Sequence, residues 1–96
     1  MPDGPLKKLL TIRKLRKDYG LGLFDIARAA KGVGVNKDSN TQEAAGLIAM
    51  ALIAYGSLKQ KVEAVAEFDW ETFFQGLIEL LEVLLPLIIE IIMLFL

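Results

Sequence analysis

The C-terminal stretch 73–96 constrains the fold of this chain more than any other part of the sequence. It reads FFQGLIELLEVLLPLIIEIIMLFL and contains no basic residue and only four hydrophilic side chains. At about 1.5 Å per residue, a helix of this length would extend about 36 Å, which exceeds the ~30 Å thickness of a hydrocarbon core. The stretch therefore predicts a long helix that is apolar around most of its circumference.

The hydrophilic residues of this predicted helix share one side. At about 100° per residue, they fall together with a proline in an arc about 100° wide. This acidic seam consists of Glu71, Gln75, Glu79, Glu82, Pro86 and Glu90. Insertion of the helix alone into a membrane is marginal, because the cost of its glutamates nearly cancels the gain from its apolar residues. We therefore expect the seam to face protein or water, at a contact between copies of the chain or along a pore.

Charge is distributed unevenly along the chain, although the net charge is only −1. No basic residue follows Lys61, whereas seven of the twelve acidic residues lie from Glu63 onward. Six cations crowd into residues 7–17, at Lys7, Lys8, Arg13, Lys14, Arg16 and Lys17. Such a basic segment fits contact with anionic lipid headgroups or with nucleic-acid phosphates, although a plain solvated surface looks the same in sequence.

Residue types that catalysis commonly needs are missing. Cysteine and histidine are both absent, which excludes disulfide bonds, thiol nucleophiles, Cys/His zinc sites and imidazole chemistry. The glycine-containing stretch 32–36 has neither a GxGxxG pattern nor a GK[ST] ending, so it is read as a linker. The sequence therefore predicts no catalytic, cofactor or metal site, no small-molecule substrate, and a protein that is not an enzyme.

The preceding elements are also predicted to be helical. Two short helices are expected over 6–17 and 24–31, with a turn at 18–22 between them and Gly32 ending the second. A capping box at Ser39–Gln42 or Asn40–Glu43 then precedes an apolar run over 44–58. Three small residues on one side of that run would let another helix approach closely: Ala45, Ala49 and Gly56.

Aromatic residues mark the junction with the C-terminal helix. Asp69 suits its N-cap, and Phe68 and Phe73 have the spacing of a hydrophobic staple. Four aromatic side chains lie within seven residues: Phe68, Trp70, Phe73 and Phe74. Their place directly before an apolar helix favours an aromatic belt at a membrane interface over an ordinary core cluster.

These elements predict an all-α fold, specifically a membrane-associated helical hairpin within an oligomer. It would comprise a basic N-terminal segment with short helices (1–36), an Ala-rich middle helix (37–67) and a long apolar C-terminal helix (68–96), forming one domain in all. The chain is 54% apolar with a mean hydropathy of +0.46, so it has little polar surface to cover a core. Burial in a membrane or in an oligomer interface would remove the excess apolar surface from water.

The function expected from this pattern is a structural subunit of a repeating, membrane-associated homo-oligomer, either a viral envelope or capsid protein or a lipid-containing pilus-like filament. Its partners would be copies of itself, membrane lipid and, through the basic segment, lipid headgroups or nucleic acid. Because the basic residues precede the C-terminal helix, the N-terminus is expected on the cytoplasmic or interior side of the host membrane, virion or filament. Two alternatives remain: a holin-like pore lined by Glu79, Glu82 and Glu90, and a soluble oligomeric helical protein that binds nucleic acid.

Overall fold

The computed structural model describes residues 4–55, 58 and 69–96 and shows four helices in that part of the chain. They are α1 (Pro5–Tyr19), α2 (Leu23–Gly32), α3 (Thr41–Ala54) and α4 (Trp70–Phe95). No strand occurs among the described residues. The all-α prediction is confirmed for this part of the chain.

Proline starts α1 and glycine ends it. Pro5 lies in the first turn, where its missing N–H leaves no helical hydrogen bond unmade. Gly20 adopts a φ of 68°, and its N–H donates to the Arg16 carbonyl over 3.0 Å. This left-handed residue turns the chain so that Leu21 enters the core, where it is 2% exposed. The helix is longer at both ends than predicted, so the turn shortens to residues 20–22.

The helix α2 ends at Gly32, as predicted, but the left-handed glycine that follows it is Gly34 and not Gly32 itself. The Val35 N–H donates to the Ala30 carbonyl over 3.0 Å, and the Gly34 N–H donates to the Lys31 carbonyl over 3.1 Å. These two hydrogen bonds form a Schellman motif, in which the φ of 82° at Gly34 is readily adopted only by glycine. The later position is favoured because it places Val35 in the core, at 5% exposure.

Side-chain caps begin α3 and α4 at the predicted places. Asn40 Oδ1 accepts a hydrogen bond from the Glu43 N–H over 3.1 Å, and Asp69 Oδ1 accepts one from the Thr72 N–H over 3.1 Å. Ser39, the alternative cap for α3, instead accepts a hydrogen bond from the Asn36 N–H over 2.9 Å. The helix α3 stops at Ala54, before the end of the predicted apolar run.

The helix against which the other three pack is α4. Its buried residues recur at spacings of three and four along one side: Leu77, Leu81, Leu84, Leu85, Ile88 and Ile91. Contact with α4 is most extensive for α3, then α2, then α1, and α2 also packs on α3. Ile53 near the end of α3 shares a groove with Phe74 near the start of α4, whereas Thr41 shares one with Ile89. The helices α3 and α4 therefore run antiparallel.

The packed chain has a radius of gyration of 12.8 Å, close to the value of about 12.5 Å expected for a compact domain of this length. Within the ranges described, none of the helices combines the length and the apolar character required of a membrane span. The membrane part of the predicted hairpin stays a prediction.

Candidate functional site

Leucines and cations are exposed together on one side of α1. Thr11 and Leu15 are buried on the opposite side, and Thr11 Oγ1 donates to the Lys7 carbonyl over 2.8 Å. The exposed side, named here the α1 outer face, consists of Leu6, Leu9, Leu10, Arg13, Lys14, Arg16 and Lys17. Its leucines are unusually exposed for their type, at 70% for Leu6, 64% for Leu9 and 55% for Leu10.

The cations of the α1 outer face are exposed. Among the described residues, no hydrogen bond or ion pair engages the side chains of Arg13, Lys14, Arg16 or Lys17. A shallow groove of about 280 Å³ is lined by Leu10, Arg13, Lys14, Lys17 and Asp18. Lys7 is also exposed and Lys8 is half-buried, so five of the six cations predicted as a contact surface are exposed.

The acidic seam lies on the outside of α4, opposite the core. Five of its six residues are exposed, and the exception is Glu82, which is half-buried. Glu82 shares a groove of about 400 Å³ with Lys37 and Ser39, from the segment that leads into α3, and with Thr41, the first residue of α3. The folded chain therefore turns the seam outward without needing another copy to cover it. Self-association through the seam stays a prediction.

Tyr19 connects α1 to α4 close to the seam. Its ring centroid lies 4.9 Å from that of Phe73, and its hydroxyl donates to the Phe73 carbonyl over 3.4 Å. Burial raises the pKa of Tyr19, and the negative charges of Asp18 and Glu79 raise it further. Because Glu79 is near enough to influence Tyr19, the end of α1 lies beside the seam. No local sequence pattern relates Tyr19 to α4, so this contact could not be predicted from the sequence.

The remaining predicted site residues lie mostly in the core. Ala45 and Ala49 are fully buried on α3, and Gly56 lies outside the described residues. Phe73 and Phe74 are half-buried and pack against the core. Phe68 and the side chain of Trp70 fall in the part of the chain that is not described. The interfacial belt stays a prediction.

The far end of α4 is joined to α2. The Lys31 ammonium donates a hydrogen bond to the Leu96 main-chain oxygen, and the Phe24 and Phe95 rings meet edge to face with centroids 6.0 Å apart. Met93 and Leu94 nevertheless stay exposed at this end. In the described ranges, no cluster of three or more acidic side chains is arranged to hold a metal ion.

No protein-family model, no curated protein and no solved structure matches the chain. The α1 outer face and the acidic seam are clusters of exposed charge of opposite sign in the described molecule.

Proposed function

We propose that the protein is a non-enzymatic structural component of a membrane-associated homo-oligomer, and that the α1 outer face is its docking surface for anionic lipid. The observation that carries this proposal is that Leu6, Leu9 and Leu10 are exposed on the same helix face as Arg13, Lys14 and Lys17. The wider assembly, an envelope, a capsid or a filament, is part of the same proposal.

Lipid accounts for both kinds of side chain on this face. Transfer of leucine side chains into the headgroup and acyl boundary contributes about 25 cal/mol per Å² of apolar area removed from water. Each cation near an anionic membrane surface contributes about 1 kcal/mol more. Nucleic-acid phosphates would bind the cations but leave the leucines in water. The α1 outer face also has no aromatic side chain on which a base could stack.

The cytoplasmic leaflet is the favoured docking partner, since anionic lipids give it a negative surface potential. This agrees with the orientation expected from the distribution of basic residues, with the N-terminus on the cytoplasmic or interior side. The holin-like alternative has less support, because α1, α2 and α3 cover the apolar side of α4 whereas Glu79 and Glu90 face outward. A pore lined by these glutamates would need a different packing of the helices.

Vesicle co-sedimentation tests the docking surface. We expect binding to phosphatidylcholine vesicles that contain phosphatidylglycerol, little binding to pure phosphatidylcholine, and weaker binding at high salt. The variant Leu9→Ser/Leu10→Ser should bind about 30-fold more weakly, from about 1 kcal/mol lost per leucine. The matched control Leu47→Ser/Met50→Ser removes two exposed apolar side chains from α3 and should bind like the wild type.

A matched pair of charge variants completes this test. Lys14→Gln on the α1 outer face should weaken vesicle binding about fivefold, whereas Lys37→Gln, an exposed cation outside α1, should not. Equal binding to neutral and anionic vesicles, or no effect of either α1 variant, would contradict the proposal. Salt-sensitive DNA or RNA binding that Leu9→Ser/Leu10→Ser leaves intact would favour the nucleic-acid alternative.

A further inference from the structure

We infer that the acidic seam of α4 binds the α1 outer face of a second copy of this chain. The inference rests on the self-association in the proposed function, and it identifies the two surfaces that make the contact. Both surfaces are exposed in the folded chain and lie on separate helices. They carry opposite charge.

The charges of the two surfaces are complementary and unpaired. The α1 outer face carries the cations of Arg13, Lys14, Arg16 and Lys17, and the seam carries the carboxylates of Glu71, Glu79, Glu82 and Glu90. In the part of the chain that is described, neither set takes part in a hydrogen bond or an ion pair. The net charge of −1 means that little overall repulsion opposes the approach of two copies.

The spacing of the charges also matches. Lys14 and Lys17 are three residues apart on one helix, and Glu79 and Glu82 are three residues apart on the other. Side chains at this spacing lie on the same helix face, separated by a rise of about 4.5 Å. Both ion pairs can therefore form at once, whether the two helices run parallel or antiparallel.

Among the described residues the two surfaces form no ion pair with each other, although the end of α1 lies beside the seam at Tyr19 and Glu79. Thr11 and Leu15 face the core of their own chain, so the α1 outer face points away from it. The seam also points away, on the opposite side of α4 from Leu81 and Ile88. Each copy therefore exposes both surfaces, the α1 outer face and the acidic seam, and both are open to a second copy. A copy docked on lipid occupies its own α1 outer face but still exposes its seam, which can bind the α1 outer face of the next copy. Anionic lipid in excess should therefore compete with association between copies.

Sedimentation velocity at low and at high salt tests the inference. The wild type should associate at low salt and dissociate at high salt, where ion pairs between exposed groups are screened. The variants Lys14→Glu/Lys17→Glu and Glu79→Lys/Glu82→Lys should each self-associate more weakly than the wild type, by a factor of about ten or more. An equimolar mixture of the two should associate again. Glu43→Lys, which reverses an exposed acid on α3, is the matched control and should behave as the wild type.

Restored association in the mixture cannot come from a folding defect. If the double variant unfolds, Glu79→Lys alone provides a single substitution at an exposed position. A wild type that stays monomeric at low salt, an association indifferent to salt, or a mixture that does not recover would each overturn the inference. If the mixture of charge-reversed variants associates but the wild type does not bind vesicles, the result would support the contact between copies and contradict lipid docking. Vesicle binding by a chain that stays monomeric would support docking and overturn the contact.

Discussion

At the scale of single residues, the Tyr19 hydroxyl occupies the space that a side chain at position 76 would need. A Cβ added to Gly76 would lie 2.8 Å from the Tyr19 hydroxyl oxygen. The hydroxyl is held there by its hydrogen bond to the Phe73 carbonyl and by the ring contact with Phe73. The absence of a side chain at Gly76 therefore lets α1 approach α4.

Two glycine variants test this contact. Alanine in place of an unconstrained helical glycine raises the free energy of unfolding by up to about 1 kcal/mol. Gly46→Ala on α3 should show that gain, because in the described part of the chain no atom from beyond its chain neighbours and its own helix backbone lies within 4 Å of the added Cβ. Gly76→Ala should show a smaller gain or a loss, since its Cβ must displace the Tyr19 hydroxyl. Urea unfolding of both variants measures the difference.

The control for this prediction removes the oxygen. In a Tyr19→Phe background, Gly76→Ala should recover the same gain in unfolding free energy that Gly46→Ala gives in the wild type. If Gly46→Ala and Gly76→Ala stabilise the wild type equally, the close approach of Tyr19 to α4 is wrong.

At the scale of elements, α4 divides its circumference between a buried apolar side and an outer side that carries the acidic seam. Pro86 lies on the outer side in the interior of the helix, where it is exposed. Proline has no N–H, so the Glu82 carbonyl lacks its helical donor. Because Pro86 is exposed, water can reach the Glu82 carbonyl from the outer side and donate a hydrogen bond to it. The loss of the helical hydrogen bond therefore destabilises the helix less than it would in the core.

Pro86→Ala should therefore stabilise the protein. The substitution restores the hydrogen bond to the Glu82 carbonyl and removes a helix-breaking residue, which we expect to raise the free energy of unfolding by about 1–3 kcal/mol. Gln75→Ala, another exposed position on the seam, should change it by less than about 0.5 kcal/mol. A loss of stability in Pro86→Ala, measured by urea unfolding, would mean that the packing requires the proline geometry.

At the scale of the whole molecule, one hydrophobic core joins residues from all four helices. Leu15 of α1, Ile26 of α2, Ile48 of α3 and Leu81 of α4 are each at most 1% exposed and belong to the same cluster. The basic helix α1 is therefore anchored to the bundle and is not a detached head. The chain should then unfold as one cooperative unit.

Leu81→Ala tests this cooperativity. It should lower the free energy of unfolding by about 2–5 kcal/mol, and helices α1 and α4 should be lost together. Far-UV circular dichroism and amide hydrogen exchange report whether the transitions coincide. Met93→Ala, at an exposed apolar position, serves as the control and should change stability little. If the α1 amides exchange with an opening free energy well below that of the α4 amides, the chain does not unfold as a single cooperative unit.

The sequence by itself determined the features that depend on neighbouring residues. Helices form where periodicity and capping agree, so Asn40 and Asp69 mark the starts of α3 and α4 as predicted. The arc of the acidic seam also follows from helical geometry alone, because side-chain direction depends only on the spacing along one helix. These interactions span a few residues, and a single chain segment specifies them.

Only the tertiary structure decided what covers each apolar surface. A run of leucine and isoleucine is stabilised equally by lipid, by another copy or by other parts of its own chain, since burial of apolar area is non-directional. In the described molecule α1, α2 and α3 cover the buried side of α4, leaving Leu6, Leu9 and Leu10 outside. The choice of Gly34 over Gly32 and the approach of Tyr19 to Gly76 likewise depend on packing between segments distant in sequence. Local spacing could not specify them.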